Sequence, residues 1–257
     1  MTEDTYETLR VEFPNAAGEM LAARLEMPRS EPRAFALFAH CFTCSKDVHA
    51  ASRISRALTA DGFAVLRFDF TGLGGSEGDF ANTSFSSNIE DLVAATAWLA
   101  REHRAPGLLI GHSLGGAAVL AASQSLPDVR AVATIAAPSN PSHLLDVFEP
   151  VVPEIEARGL ATVSVGGRPF TITRSFLDDL DAHPLEEQLK RSTGKAYLLF
   201  HAPGDRVVPI EHARRIFDAA PFPKSFVSLD GADHLLGREE DSRFVAALLA
   251  DWSRRYL

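Results

Sequence analysis

Short, continuously apolar runs recur along this chain of 257 residues, and stretches with helical patterns separate them. The runs are residues 34–39, 64–68, 107–110, 131–135, 196–200 and 225–229. A strand that is apolar at every position is buried on both faces, as in parallel sheets covered by helices on either side. The intervening helical patterns are at residues 49–59, 88–102, 114–125, 211–219 and 242–255. The alternation therefore predicts an α/β fold with a mostly parallel sheet flanked by helices.

The N-terminal residues follow a different pattern. Residues 9–13 alternate between polar and apolar, residues 14–18 are rich in turn formers, and residues 20–27 are suited to a return strand. This arrangement predicts an antiparallel strand pair at the start of the chain. A chain of this length is typical of one large α/β domain, so we expect residues 1–257 to form a single domain.

One long segment, residues 139–194, interrupts the alternation of strands and helices. It is rich in Pro and Gly, and residues 162–173 carry a hairpin signal around Gly166 and Gly167. Long segments inside compact domains are often functional lids, so we predict a small cap over the strand ends. Its apolar side chains either line a substrate pocket or simply bury the cap; they are Leu144, Leu145, Val147, Phe148, Val151, Phe170 and Phe176.

Composition and charge exclude several classes of protein. The net charge of −9 argues against a nucleic-acid partner, because phosphate binding needs clustered Lys and Arg. The N terminus has no apolar segment typical of a signal peptide, and no apolar run approaches the ~18 residues of a membrane span. The two cysteines are too few for a disulfide framework. We therefore expect a cytoplasmic protein without a membrane span.

The strongest functional signal is the sequence GHSLGG at residues 111–116. It follows an apolar strand and opens an Ala-rich helix, which is the context that a G-x-S-x-G nucleophile motif requires. Glycines on both sides allow a sharp turn that exposes the hydroxyl of Ser113. The N–H of Leu114, at the start of the helix, is free to bind an oxyanion. The alternative is a Gly-rich turn with an incidental serine.

A serine hydroxyl needs a neighbouring base, and two further residues have suitable positions. Asp205 follows the run 196–200, and His234 follows the run 225–229. Both therefore lie at the carboxyl ends of parallel strands, at the same edge of the sheet as Ser113. Their order along the chain, serine then acid then histidine, matches a Ser-Asp-His triad on this type of sheet. The competing histidines are His201 and His212, and Asp233 is a competing carboxylate.

The chain resembles the α/β-hydrolase superfamily of serine hydrolases and esterases. The resemblance rests on HCFTCSKD at residues 40–47, DFTGLGGS at residues 69–76 and the GHSLGG motif, and it extends over nearly the whole chain. It implies that the N–H groups of Phe42 and Leu114 form the oxyanion hole. The chain differs from the family pattern at Cys41, where glycine is usual, and at Thr71, where arginine is common.

Within this superfamily the motifs resemble the hydrolase domains that are often fused to a C-terminal OsmC-like domain. Some members of that group act as esterases on short acyl chains. The resemblance leaves two alternatives: a stand-alone member of this group, or a longer form that carries an OsmC-like domain after Leu257.

Cys41 and Cys44 form a C-x-x-C sequence, which is also typical of thiol redox sites. One hypothesis is that oxidation of this pair distorts the oxyanion loop and abolishes activity. The alternative is that two small residues merely fill a tight loop. Equal rates of ester hydrolysis with and without a reductant would exclude a redox effect.

Other polar residues are assigned structural functions. Asp69 is predicted to connect neighbouring loops, His112 to pack against the sheet, and His40, by the family resemblance, to orient the oxyanion loop. No spacing of His, Cys, Asp and Glu indicates a metal site, and no phosphate-binding loop indicates a nucleotide cofactor.

These observations predict a serine hydrolase that cleaves small carboxylic esters of short acyl chains. Ser113 is the nucleophile, His234 the base and Asp205 the acid, and the expected partner is a small-molecule ester with no cofactor. Hydrolysis of thioesters or amides by the same triad is an alternative. A protein of different class, a non-catalytic ligand-binding protein on this fold, is the second hypothesis, since the fold hosts many functions.

Overall fold

A computed structural model describes residues 6–42, 44–165 and 168–257. Its strands agree closely with the apolar runs. They are β1 (Tyr6–Pro14), β2 (Met20–Pro28), β3 (Ala34–Ala39), β4 (Phe63–Phe68), β5 (Leu108–His112), β6 (Ala131–Ile135), β7 (Leu160–Val165), β8 (Arg168–Thr173), β9 (Ala196–His201) and β10 (Lys224–Ser228). The helices are α1 (His49–Ala60), α2 (Phe85–Glu102), α3 (Leu114–Ala122), α4 (His143–Phe148), α5 (Val152–Arg158), α6 (Arg174–Asp181), α7 (Leu185–Lys190), α8 (Glu211–Ala219) and α9 (Glu239–Ser253).

Eight of the strands form one sheet in the order β1-β2-β4-β3-β5-β6-β9-β10. Strand β2 is antiparallel to both of its neighbours, whereas the other six strands of this sheet, β4-β3-β5-β6-β9-β10, are parallel to one another. The predicted mostly parallel sheet with an antiparallel start is confirmed. Because β5 is central and β10 lies at the edge, the loops that follow them start far apart.

The core lies on both faces of the sheet. Along β3, Phe35 and Leu37 pack into one apolar cluster, while Ala36 and Phe38 pack into the cluster on the opposite face. Successive side chains of a strand point to opposite faces, so an apolar residue is needed at every position. The continuous apolar runs are thus explained by burial on two sides.

Two helices begin earlier than the sequence predicts, because polar or acidic side chains stabilise their first turns. Helix α2 begins at Phe85 instead of residue 88, because Ser84 and Ser87 cap its first turn reciprocally. The prediction missed this start because the residue that completes the box is serine rather than the usual Glu or Gln. Helix α9 begins at Glu239, so that acidic side chains occupy its first turn.

The segment between β6 and β9 contains helices α4 to α7 and the antiparallel pair of β7 and β8. The predicted hairpin at 162–173 is therefore present as paired strands, while Gly166 and Gly167 lie outside the described residues. The sequence did not predict the four helices, which have only six to eight residues each. That this segment acts as a cap stays a prediction. Within the described part of the chain, no helix has the length and apolar character needed to cross a bilayer.

Candidate active site

Ser113 occupies the sharp turn between the central strand β5 and helix α3. Its backbone angles are φ 54° and ψ −125°, a conformation that residues with a side chain rarely adopt. Backbone hydrogen bonds hold it: the Ser113 N–H donates to the carbonyl of Ile135 at 2.9 Å, and the Ser113 carbonyl accepts from the N–H groups of Gly116 and Ala117 at 2.8 and 3.4 Å. Sheet and helix together thus impose the strained geometry.

Two positions of the motif have room for glycine only, because a Cβ there would collide with the backbone. A Cβ at Gly111 would collide with the carbonyl of Gly115, and a Cβ at Gly115 would collide with the carbonyl of His40. The turn therefore closes on itself, and the loop after β3 lies directly against it. This contact brings the proposed oxyanion loop to the serine.

The structure brings Ser113, His234 and Asp205 together, as the sequence predicts. The Nε2 atom of His234 lies 3.1 Å from the Oγ of Ser113, and its Nδ1 atom lies 2.8 Å from Oδ2 of Asp205. Because a carboxylate accepts hydrogen bonds, Nδ1 carries the proton and Nε2 is left to accept from the hydroxyl. This is the arrangement in which the imidazole is able to remove the serine proton.

Asp205 is buried and its carboxylate is stabilised in the ionised form. Burial alone would raise the pKa of the carboxyl group, but hydrogen bonds from His234 and from the N–H groups of Val207 and Val208 outweigh it and lower the pKa below its usual value. The two N–H groups donate to Oδ1 at 2.8 and 3.0 Å, so Oδ2 remains directed at His234. The local turn thus orients the acid.

The loop that carries His234 joins β10 to α9. The carboxylate of Asp233 accepts from the N–H groups of Leu235 and Gly237 at 2.9 and 3.0 Å, which shapes the turn around the histidine. Leu236, with φ 51°, is buried in the core below it. Asp233 is therefore a turn residue and does not contact the imidazole as Asp205 does.

The competing histidines have other partners. The Nε2–H of His201 donates to the carbonyl of Val208 at 2.8 Å, and burial lowers the pKa of this buried imidazole. The Nδ1 of His212 accepts from the N–H of Ser139 at 3.1 Å, and burial, then the nearby His143, lower its pKa to about 4. Neither makes the contact with Ser113 that His234 makes.

A disulfide bond between Cys41 and Cys44 closes the loop that follows β3. The N–H of Cys44 also donates to the carbonyl of Cys41 at 3.1 Å, and the same carbonyl accepts from Nδ1–H of His40 at 2.8 Å. Phe42 lies inside this closed turn. The sequence indicated the pairing only through the C-x-x-C spacing, and Thr43 lies outside the described residues.

Buried Asp69 fastens the next part of the same loop. Its carboxylate accepts from the N–H and the Nζ of Lys46 at 2.5 and 2.6 Å and from the N–H of Gly75 at 2.8 Å. Asp69 therefore connects the loop after β3 to the loop after β4, in agreement with the function predicted for it.

A group of phenylalanine rings joins the inserted segment to the loop after β3. The ring of Phe42 lies 5.5 Å from Phe80, 5.9 Å from Phe148 and 5.8 Å from Phe176, measured between centroids. Phe148 and Phe176 are almost completely buried, so they pack the segment onto the core. Phe80, in a short helical turn between β4 and α2, was not singled out from the sequence because no periodic pattern marks it.

The other apolar residues of the segment are less enclosed. Leu144, Leu145, Val151 and Phe170 are half-buried against the same core, while the side chain of Val147 lies outside the described residues. A small cavity of about 10 Å³ lies beside Phe42 and Leu114, with Phe70 and Phe80 among its lining residues. Among the described residues, no group of three or more His, Cys, Asp and Glu side chains is arranged to hold a metal ion.

Comparison with known proteins agrees with the fold. The crystal structure of the esterase domain of a Rhodothermus marinus protein is 49% identical, covers 97% of this chain and 99% of that chain, and superposes with a TM-score of 0.79. Est1E of Butyrivibrio proteoclasticus, solved with ferulic acid bound, shares the fold at 19% identity, 96% and 98% coverage and a TM-score of 0.77.

Among curated proteins, the mitochondrial palmitoyl-protein thioesterase ABHD10 of Mus musculus is 27% identical over 198 residues. These residues are 74% of this chain but 65% of the mouse protein, so the chain spans less than two thirds of that relative. The comparisons do not show an OsmC-like domain. The model of the alpha/beta hydrolase family matches residues 36–248, and the chain therefore belongs to the alpha/beta hydrolase family.

Proposed function

We propose that the protein hydrolyses carboxylic esters through an acyl-enzyme formed on Ser113. The observation that carries the proposal is the continuous chain of hydrogen-bond contacts from Ser113 through His234 to Asp205. The strained backbone of Ser113 and its position at the start of α3 support the same function.

In the first step the hydroxyl of Ser113 attacks the ester carbonyl while Nε2 of His234 accepts its proton. Asp205 holds the imidazole in the required tautomer and stabilises the imidazolium. The imidazolium then protonates the leaving alcohol. Water, deprotonated by His234, attacks the acyl-enzyme in the second step and releases the acid and free Ser113.

The oxyanion of each tetrahedral intermediate is assigned to the N–H groups of Leu114 and Phe42. The contact of Gly115 with the carbonyl of His40 supports this assignment, because it brings the two chain segments together. The N–H of Leu114 also lies in the first turn of α3, where the helix dipole favours negative charge.

The acyl group is proposed to be short. The phenylalanine group around Phe42 fills the space between the oxyanion loop and the inserted segment, and the cavity beside Phe42 and Leu114 is small. A long chain would require these rings to move. A panel of p-nitrophenyl esters from acetate to palmitate is therefore expected to give its highest kcat/KM at short chain length.

The decisive experiment compares the wild type with Ser113→Ala. We expect kcat to fall by on the order of 10⁶, because removing the nucleophile of comparable triads costs that much. A phosphonylating reagent should label the wild type at Ser113 and leave the variant unlabelled. Hydrolysis that persists in the variant would contradict the proposal, and a folded wild type that neither reacts nor hydrolyses would favour a ligand-binding function.

A second candidate is thioester hydrolysis by the same residues. It is favoured by the similarity to the mouse protein named as a palmitoyl-protein thioesterase. Acyl esters and acyl thioesters of matched chain length distinguish the two activities. A kcat/KM for the thioesters that exceeds the ester value at equal chain length would favour the thioesterase.

A further inference from the structure

The loop that carries His234 begins far from the residue that His234 contacts. It leaves β10, the edge strand, whereas Ser113 follows β5, which lies three strand positions further in. At about 4.8 Å between neighbouring strands, the loop must cross roughly 14 Å of the sheet edge. To keep His234 and Ser113 within 3.1 Å at the end of such a span, the loop must be bonded to the protein close to His234.

His112, the residue before Ser113, supplies a hydrogen bond at that point. Its Nε2 lies 2.7 Å from the backbone carbonyl of His234, and a carbonyl only accepts, so Nε2 carries the proton and donates. The two imidazole rings are 5.2 Å apart between centroids. His112 is the last residue of β5, which makes the donor part of the rigid sheet.

The other hydrogen bonds of the loop lead elsewhere. Leu229 bonds to β9 through His201, while the bonds of Asp233 stay within the turn. On the far side, Arg53 of α1 donates to the carbonyl of Gly237. Among the described residues, the bond from His112 is the hydrogen bond that joins the backbone of this loop to the strand of the nucleophile.

The histidine at position 112 has an energetic disadvantage that an apolar ring would avoid. Its Nδ1 is buried and has no hydrogen-bond partner among the described residues. A buried acceptor without a partner is unfavourable, so packing alone would be served better by phenylalanine. The benefit of a histidine must therefore come from Nε2–H.

The imidazole of His112 also stays neutral at near-neutral pH. Burial, and then the charge of the neighbouring His234, lower the pKa of His112 to about 4. A neutral donor holds the loop without placing a second positive charge beside His234 when that residue accepts the serine proton.

We infer that His112 is a positioning residue for the proposed reaction: its Nε2–H fixes the loop of His234 to β5, and so sets the distance between base and nucleophile. The inference rests on the proposed function of Ser113 and His234. It differs from the packing function that the sequence suggested for His112.

Two substitutions of nearly equal length test this inference. His112→Gln retains an N–H donor at the end of the side chain, whereas His112→Met fills similar space without one. We expect kcat of the Met variant to fall about tenfold or more, since small misplacements of catalytic groups cost up to about 100-fold. We expect the Gln variant to recover most of this loss, with KM of both within about twofold of the wild type.

The rate at which a phosphonylating reagent labels Ser113 provides a second measurement, because it depends on the base but not on an acyl pocket. It should fall in parallel with kcat in His112→Met. His112→Phe, which also lacks the donor, should behave like the Met variant in kcat and in labelling rate. His103→Phe, at the end of α2, is the control for replacing a histidine by an aromatic residue and should keep full activity.

Equal kcat values for the Gln and Met variants would overturn the inference, whether both are active or both are impaired, because the donor would then be irrelevant. A wild type without hydrolysis that depends on Ser113 would overturn the proposed function and this inference together. A wild type that hydrolyses esters, with an unimpaired His112→Met variant, would overturn this inference alone.

Discussion

Two loops deliver groups to Ser113, and they are held in place by different means. The loop after β3 is next to the nucleophile strand in the sheet and is fastened by the Cys41–Cys44 disulfide and by buried Asp69. The loop after β10 starts at the sheet edge and is fastened by two hydrogen bonds: the Nδ1–H of His234 donates to the carboxylate of Asp205, and the Nε2–H of His112 donates to the backbone carbonyl of His234. The loop after β3, here called the near loop, is thus held by a disulfide and an ion pair next to its own strand. The loop after β10, here called the far loop, depends on hydrogen bonds to residues near Ser113.

Among the contacts that hold the two loops, the largest effect is expected from Asp205→Asn, which removes the carboxylate that the His234 ring contacts. The amide favours the wrong tautomer of His234, and kcat should fall by about 10⁴, as in comparable triads. Steady-state kinetics measure the loss. Asp233→Asn is the matched control, because its amide oxygen is still able to accept the N–H groups of the turn; a similar loss there would contradict the assigned functions of the two carboxylates.

Asp69→Ala breaks the ionic fastening of the near loop. It leaves the ammonium of Lys46 without its buried partner, so we expect the free energy of unfolding to fall by about 3–5 kcal/mol. Urea denaturation measures this change. Asp47→Ala, in the same loop but with 46% of its side chain exposed, should cost about 1 kcal/mol or less. Equal effects would mean that burial of Asp69 is unimportant.

Reduction of the disulfide tests the covalent fastening of the near loop. The disulfide coexists with the contact between Ser113 and His234, so we expect reduction, rather than oxidation, to lower activity. A small dithiol would be oxidised as Cys41 and Cys44 become thiols. We expect kcat to fall about tenfold, because complete loss of one oxyanion donor typically costs about 10²–10³ and reduction would only loosen the loop.

The double variant Cys41→Ser/Cys44→Ser is the control for this treatment. It should have the lowered activity with and without the dithiol. If reduced wild type and the double variant are both fully active, the disulfide does not support the loop.

The smallest effect concerns the loop after β4, which Asp69 connects to the loop after β3; there Asp91 accepts from the N–H and the hydroxyl of Thr71. Burial is the largest cause that raises the pKa of Asp91, to about 6 from 3.8. The folded state therefore binds the extra proton between these values, and this contribution to stability grows as the pH falls through 6 and is lost as it rises. Between pH 7 and pH 5 the gain should be on the order of 1 kcal/mol.

Chemical denaturation at both pH values, compared with Asp91→Asn, isolates this contribution. The variant should lack the gain on acidification. An identical pH dependence of the two proteins would show that Asp91 titrates normally.

The sequence predicted the sheet because burial on both faces leaves a pattern that is local to each strand. It also brought Ser113, Asp205 and His234 to one sheet edge, because each follows its own strand in a known order. It did not reveal the bond from His112 to His234, since two residues 122 positions apart meet only in the fold. The short helices of the inserted segment have too few turns for a periodic signal.

The contact between Gly115 and the carbonyl of His40 separates the choice of acyl group from the position of the two backbone N–H groups. The two segments meet through main-chain atoms, so their spacing does not depend on the identity of the neighbouring side chains. If the proposed oxyanion hole is correct, libraries at Phe42 and Leu114 that omit proline should alter which acyl groups are accepted while every member retains the two N–H groups assigned to the oxyanion. Selectivity becomes adjustable there without rebuilding the machinery for bond cleavage.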